Sequence, residues 1–550
     1  MYIEKIVIQN FKCFNGTFCL EFDEGLNVLV GNNEAGKSTI LEAIHLVLTG
    51  LLNGRYLKNE LSPHLFNNEV VLEYLRSLTD GPRSLPEIRI ELFLKGDNLA
   101  IMEGDGNSLK EKAFGVSLCI AFDDQYKSIY QLMVDANEVK TIPVELYTVT
   151  LSSFAREPML TRILPIKAVL IDSSTHRFQN GADVHLSHII GTLLTEEERL
   201  GIAQAHRKMK ETFRDEEVIK NVNIKLKDCS EAAETEKVIS LSVDFSTKTA
   251  WENSLATFLD DVPFPLVGKG EQSIVKTQLA LENRKAKEAS VVLVEEPENH
   301  LSFAKLNQLI RNIKKKCPEK QIIVSTHSSF VANKLGLERL ILLHGGQSLN
   351  FSELNTDTKE FFEKIPGYDT LRILLCEKAI LVEGDCDELI VQRAYRDANE
   401  GRLPIEDCVD VIAVGTSFLR FLDLAEILKK PVVVVTDNDG DLDALNKKYE
   451  KYLQAGAETA DFIKICFDDE VDEGELKIGA KNKPFNYNTL EPKLLKANSL
   501  ELFNRIFDTA YANTDGIHKY MRNNKTECAL KLFKSDEILS FPKYILDAIA

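Results

Sequence analysis

The sequence predicts a multidomain α/β protein built on two separate parallel sheets, and three observations carry that prediction. The chain has 550 residues, more than one hydrophobic core usually serves, which favours roughly three or four domains. Near its start a short apolar run, Gly25-Leu26-Asn27-Val28-Leu29-Val30-Gly31, leads into a glycine-rich loop and then a helical stretch from Ser38 to Leu48. Beyond Gly367 a second series of near-continuous apolar runs alternates with helical stretches, the pattern of parallel strands covered on both faces.

Composition bounds the class. An apolar fraction of 44% is ordinary for a globular protein. Charged residues interrupt every apolar stretch before the roughly 18 residues that cross a bilayer, and Met1-Tyr2-Ile3-Glu4-Lys5 lacks a secretory pattern. A cytoplasmic chain with no membrane partner is expected. Ten cysteines are scattered without a Cys-x-x-Cys pair, which reads as reduced core residues and predicts neither disulfides nor a structural metal. A net charge of -19 argues against a surface coated in nucleic-acid contacts, since such surfaces are basic. It leaves room for a local basic groove, because carboxylates gathered around metal ions inflate the acidic count.

The loop Gly31-Asn32-Asn33-Glu34-Ala35-Gly36-Lys37-Ser38-Thr39 stands in the strand, loop, helix context of a phosphate cradle. Glycines let backbone N–H groups converge on phosphates, Lys37 reaches the terminal phosphates, and the Ser38 hydroxyl is placed to ligate Mg²⁺. A second strand, Val291 to Val294, delivers Glu295 and Glu296 to its carboxyl end, ahead of Pro297-Glu298-Asn299-His300-Leu301. Carboxylates there reach the Mg²⁺ and the attacking water. A third strand, Gln321 to Thr326, presents His327 as a candidate contact to the γ-phosphate.

The interval between Thr39 and Val291 is too long for one compact lobe without an insertion. From about Pro165 to Asp244 the pattern turns polar and charged, with Thr195-x-x-Glu198 as a capping box, so residues 165–244 are expected to form a helical insertion that serves dimerisation. A solvated helical decoration is the plainer alternative. Residues 1–164 and 245–366 then form the two parts of the nucleotide-binding lobe, and 367–550 a separate domain.

In that last domain the strands are Ala379 to Val382, Val409 to Val414 and Pro431 to Thr436. The first ends in Glu383-Gly384-Asp385-Cys386-Asp387 and the third in Asp437-Asn438-Asp439. Function concentrates at the carboxyl ends of such strands, and carboxylates converging there repel one another unless cations neutralise them.

The first set of spacings resembles the ABC-type ATPases of the SMC and recombination-mediator group, whose first strand is similar to Ile3 through Phe14. The resemblance implies ATP with one Mg²⁺, held by Gly31, Asn32, Asn33, Gly36, Lys37, Ser38, Thr39, Glu295, Glu296 and His327. It also implies a signature segment that closes the nucleotide site of a second copy, matched here by Gly268, Gly270 and Gln272 in Gly268-Lys269-Gly270-Glu271-Gln272. A homodimer or higher homo-oligomer follows. Glu295 stands where most ABC proteins have Asp, and this longer carboxylate holds Mg²⁺ less well or only through water.

The strand-end Glu-Gly and the later Asp-x-Asp resemble the Toprim fold of topoisomerases, primases and certain nucleases. Behind an interrupted ABC ATPase, and with Thr489-Leu490-Glu491 and Lys525 following, the whole chain resembles the OLD (overcoming lysogenization defect) family nucleases. The fold class is thus an ABC-type ATPase with a helical insertion followed by a Toprim parallel-sheet domain. The family resemblance implies that Glu383, Asp387, Asp437, Asp439 and Glu491 divide between two Mg²⁺ or Mn²⁺ ions, with Lys525 stabilising charge on a scissile DNA phosphate. Glu383, Asp437, Asp439 and Lys525 are the catalytic candidates, and Asp385 or Asp441 is near enough to replace a ligand. An antiphage role is implied, beside a helicase in Gabija systems or beside a retron reverse transcriptase with its noncoding RNA and msDNA. The alternative is an SMC-like structural DNA-binding ATPase with an inactive Toprim module. It is weakened by the lack of sustained heptads for long coiled-coil arms. A topoisomerase or primase reading lacks the tyrosine, zinc or helicase-binding module it needs.

Overall fold

The computed structural model describes the chain except residues 33, 53, 79–84, 98, 173–177, 180–181, 184–189, 191–193, 233–239, 243–256, 283–287, 300, 317–318, 329–330, 332–338, 345–346, 351–355, 365–371, 455–460 and 479–482. It divides into two compact units, one comprising Met1–Leu335 with Leu343–Ser348 and the other Gly336–Leu342 with Leu349–Ala550.

In the first unit the strand Tyr2–Gln9 pairs antiparallel with Thr17–Glu21 on one side and Ile88–Lys95 on the other. Ile88–Lys95 pairs in turn with Ala113–Phe122, which carries Tyr147–Ser153 on its far edge. A second sheet holds four consecutive parallel strands in the order Ala168–Asp172, Val291–Glu295, Gln321–Thr326 and Leu26–Gly31. Leu26–Gly31 is buried at every position and so reads as an unbroken apolar run rather than an alternation. The Gln321 side chain stitches the two sheets together. Its amide accepts from Ile3 N at 2.9 Å and donates to Ile3 O at 2.8 Å and Asp23 O at 2.9 Å, satisfying backbone groups that would otherwise be buried without partners.

Within residues 165–244 a short antiparallel pair, Phe178–Gln179 with Ala182–Asp183, precedes two helices, Glu196–Asp215 and Glu217–Ala232. The first of these helices opens on the expected capping box: Thr195 Oγ1 accepts from Glu198 N and the Glu198 carboxylate accepts from Thr195 N. The boundary placed at residue 165 is too early. Ala168–Asp172 pairs in parallel with Val291–Glu295 and belongs to the core sheet. Its five residues are too few for the apolar run to stand out from the polar stretch that follows.

The second unit is a four-stranded parallel sheet in the order Val409–Ala413, Lys378–Val382, Val432–Val435 and Ile463–Cys466. Helices Asp385–Ala398, Lys525–Lys534 and Lys543–Ile549 cover one face around Ile390, Val391, Cys528, Leu532 and Ile545. The boundary between 366 and 367 is too late, because the helix Thr356–Lys364 also belongs here. Phe362 meets Phe421 edge-on at 5.2 Å, and Thr358 Oγ1 donates to Asp423 at 2.8 Å.

All eight cysteines among the described residues are free thiols. No helix among the described residues is long and apolar enough to cross a membrane.

Candidate functional site

In the first unit, parallel register brings three strand ends to one edge. Glu295 is level with Ser325, and Thr326 with Val30, so the glycine-rich loop, the acidic pair and His327 emerge together. Gly31 and Gly36 are dictated by space. A Cβ on Gly31 would lie 2.5 Å from Leu343 O, and one on Gly36, whose φ is +92°, would lie 2.6 Å from the Phe14 ring. Gly36 caps the buried helix Lys37–Thr49, whose N-terminal N–H groups face the loop. Lys37 is buried, and its Nζ donates to Gly31 O at 2.8 Å and Asn32 O at 2.9 Å. Burial pulls its ammonium below the ordinary lysine value, opposed by the fields of Glu296 and Glu298. Ser38 is exposed, and Thr39 Oγ1 accepts from Cys13 Sγ. Asn33 lies outside the described residues.

Glu296 has a left-handed backbone, φ +44°, and its carboxylate contacts His327 Nδ1. Burial and the neighbouring Glu298 raise its pKa, with His327 and Lys37 pulling the other way. Glu298, to which the sequence reading gave no role, completes the cluster. Its Oε1 accepts from Thr326 Oγ1, from His327 N at 3.1 Å and from Ser328 N at 3.2 Å, while its buried Oε2 has no partner. Among the described residues, Glu296, Glu298 and His327 are the one set of three such side chains whose ligand atoms lie within 4.8 Å of one another. The alternation Glu296-Pro297-Glu298 past a strand end was the signal available. Glu295 sits at the strand end, level with Asp172 of the neighbouring strand. The signature segment begins the helix Lys269–Glu282, with Gly268 exposed. Gly270 lies in the first turn of that helix, and the buried Gln272 amide donates to Phe264 O at 2.9 Å and Val267 O at 2.7 Å.

We expect Lys37→Ala to weaken ATP binding about tenfold to hundredfold, the scale of a lost charge-assisted contact to phosphate. Titration of a fluorescent ATP analogue checks this, and unchanged affinity would mean the loop is misread.

In the second unit, Val382 is level with Ala413 and Leu381 with Val434, which sets Glu383 and Asp437 at one carboxyl edge. Glu383 Oε1 accepts from Thr436 Oγ1 at 3.1 Å. Asp387, in the first turn of Asp385–Ala398, turns back so that its Oδ2 accepts from Gly384 N at 3.1 Å. Asp439 has φ +47° and accepts from Asn486 Nδ2 at 2.9 Å. Asn438 fixes this loop, donating to Asp468 O at 2.7 Å and Glu470 O at 3.0 Å. Asp441 caps the next helix by accepting from Ala444 N at 2.9 Å. Asp385 opens the Asp385–Ala398 helix.

The acids feel one another strongly. Burial, then the charges of Asp387, Glu383, Glu491 and Asp439, push Asp437 up to about 8. Burial with Glu383 and Glu491 pushes Asp387 up to about 6. All five sequence-predicted carboxylates therefore share one field. Lys525 opens the helix Lys525–Lys534 and pairs with Glu491 Oε1 at 2.8 Å. Burial lowers its pKa, but Glu491, Asp387 and Asp437 outweigh that and keep the ammonium charged. Arg393, invisible as a site residue in sequence, anchors this helix. It is buried and donates to Leu532 O at 2.7 Å, Glu537 O at 2.9 Å and Ser535 O, tying the helix of Asp387 to the helix of Lys525. A partly buried carboxylate cluster with one cation is an excess of negative charge that fits divalent ions and oxygen ligands.

Comparisons with known proteins fall on these two sites. A family model described as AAA ATPase domain matches residues 1–332, and one described as overcoming lysogenization defect protein-like, TOPRIM domain matches residues 374–439. The DNA replication and repair protein RecF of Pasteurella multocida is 31% identical over 114 residues, 20% of this chain and 30% of that protein. The chromosome partition protein Smc of Synechocystis is 38% identical over 117 residues, 20% of this chain and 9% of that protein. The chain thus spans under a third of the length of these curated relatives. Among solved structures, the SMC head domain from Thermotoga maritima is matched at 13% identity and TM-score 0.30, over 63% of this chain and 97% of that one. RecF with ATP is matched at 11% identity and TM-score 0.33, over 64% and 99%. With a glycine-rich loop and paired acids at one sheet edge, and strand-end carboxylates on a second sheet, this chain belongs to the AAA ATPase domain family and carries behind that domain an overcoming-lysogenization-defect-like Toprim domain.

Proposed function

We propose that the protein is a divalent-metal-dependent DNA endonuclease of the OLD family whose activity is controlled by ATP binding. The observation that carries this reading is the parallel register that sets Glu383 and Asp437 at one carboxyl edge, with Asp387, Asp439 and Glu491 close enough to push the Asp437 carboxyl upward. A stability-neutral surface does not accumulate such a cluster, whereas a site built to hold two Mg²⁺ or Mn²⁺ ions requires it. Two such ions, when bound, activate water and steady the leaving oxygen in an in-line displacement. Glu383, Asp437 and Asp439 would hold them from strand ends, and Asp387 and Glu491 from the first turns of two helices. Lys525, held by Glu491, presents a fixed positive charge where a phosphodiester gains negative charge.

The glycine-rich loop with Glu295, Glu296, Glu298 and His327 would hold ATP with one Mg²⁺ at the other site. Gly268 and Gly270 stand at an exposed helix start, available to close the site of a second copy, so the working form is a homodimer or larger homo-oligomer. The insertion supplies a further contact face. Its helices expose Leu200, Met209, Phe213, Val218 and Ile224, apolar area of the kind that marks association. An antiphage role, alone or with a helicase or a retron reverse transcriptase and its msDNA, is the setting that the family likeness favours.

The test is cleavage of supercoiled plasmid with Mg²⁺ or Mn²⁺, with and without ATP, beside Glu383→Ala. Metal-dependent cutting that disappears in the variant supports the nuclease, and the ATP comparison gives the sign of control. Cutting retained in Glu383→Ala overturns the site. DNA binding without cutting, under any nucleotide condition, favours a structural ATPase.

A further inference from the structure

Beside the carboxylate cluster the second unit contains a cavity of about 440 Å³, most of whose lining has no role in the proposed reaction. Its size is in the range of roughly 300–1,000 Å³ that small ligands fill. Glu491 and Lys525 form one wall, so the cavity opens directly onto the proposed metal site. The rest of its lining combines cations with aromatic rings. Lys483 and Arg522 are exposed, and neither has an ion-pair partner among the described residues. Phe485 stacks on His518 with ring centroids 5.1 Å apart and planes at 24°.

His518 is the least expected member. It is 7% exposed, and its Nδ1 has no hydrogen-bond partner. A buried polar atom without a partner is uncommon and asks for a reason. Burial holds the imidazole below the ordinary histidine value, so it is neutral and offers one donor and one acceptor. His518 and Arg522 are four residues apart on the helix Thr514–Asn523, hence on one face. Sequence spacing therefore puts a neutral hydrogen-bonding ring and a free guanidinium side by side. Aromatic ring surface backed by a buried imidazole, beside unneutralised cations, suits the base and the phosphate of a nucleotide.

We propose that this cavity is a nucleotide subsite, receiving one unstacked base of a single strand next to the scissile phosphate. The base packs against the open face of Phe485, whose other face is backed by His518, and the adjoining phosphate lies between Lys483 and Arg522. This rests on the nuclease reading for its direction relative to the cut, but the subsite itself is a binding property. The enzyme then acts on a strand whose base has left the stack, which makes melted, flapped or damaged DNA its preferred substrate over intact duplex.

The test measures binding without cleavage. Full-length protein in Ca²⁺ is titrated into a fluorescein-labelled single-stranded 15-mer, and into a matching strand with abasic sites throughout. Phe485→Ala is expected to weaken binding of the normal strand about tenfold and to leave the abasic strand unchanged, because stacking is lost only where a base exists. Arg522→Ala, at an exposed position, is expected to weaken both strands and lower the salt dependence by about one counterion. Equal losses on both strands in Phe485→Ala, no loss, or no binding by the wild type would each overturn the subsite. Competition by dAMP at micromolar concentration would overturn it too, reassigning the cavity to a free nucleotide. Plasmid cleavage is scored separately. Cutting without base-dependent coupling removes the subsite alone, and coupling without cutting removes the nuclease reading alone.

Discussion

Glu383→Gln is expected to leave the chain folded and to reduce metal-dependent cleavage by about 10³-fold or more, the scale of several kcal/mol of lost charge stabilisation. Glutamine keeps the shape and the oxygen that accepts from Thr436 Oγ1, so the strand end and its hydrogen bond survive. What disappears is the negative charge. Glu383 contributes to the field on both Asp387 and Asp437, which places it within the carboxylate cluster. Circular dichroism and thermal melting check the fold, calorimetry with Mn²⁺ checks metal affinity, and plasmid nicking checks activity. Weakened Mn²⁺ binding with intact melting and lost cutting is the expected combination. Normal cutting would move the reaction elsewhere on the molecule.

The second large effect is on stability. Asp437 has an ordinary carboxyl value of 3.8 when exposed in the unfolded chain and is pushed up to about 8 in the fold. At pH below 3.8 both states carry the proton and the group costs nothing. Between about 4 and 8 the folded state keeps a proton that the unfolded state has released, so metal-free stability falls steadily as pH rises through this window. Above about 8 the carboxylate is charged in both states and the full cost stands. Asp387, pushed up to about 6, acts in the same direction over a narrower window. Asp437→Asn removes the charge, so in EDTA at pH 8 it should be more stable than wild type by on the order of a few kcal/mol and melt at a higher temperature. The two proteins should converge near pH 4. Added Mg²⁺ should stabilise the wild type and leave the variant nearly unmoved, because a ligand that binds the native state stabilises it. A wild type that is equally stable at pH 5 and pH 8 in EDTA would show that these carboxylates are not crowded.

How much was legible follows how local each signal is. The loop from Gly31 to Thr39 announces itself because strand, glycine turn and helix are consecutive, and only such spacing lets Gly36 take φ +92° beneath the Phe14 ring. Glu383 and Asp437 were legible for a similar reason. Each directly follows an apolar strand, and parallel register then carries both to the same edge. The edge strand Ala168–Asp172 was missed because five residues carry little periodicity. The helix Thr356–Lys364 was placed in the wrong domain because only its contact between Phe362 and Phe421 assigns it.

Sequence alone therefore carried the two parallel sheets and the acids that follow their strands, because backbone pattern and strand order are one-dimensional information. Tertiary structure alone decided that Glu298 takes three donors beside His327 and that Arg393 pins the helix of Lys525 to the helix of Asp387. It also decided that Phe485, His518 and Arg522 enclose a cavity beside Glu491. Burial and field decided the rest: no motif states that Asp437 rises to about 8. That value depends on how much water is excluded and on how many like charges surround it, and both are properties of the packed chain.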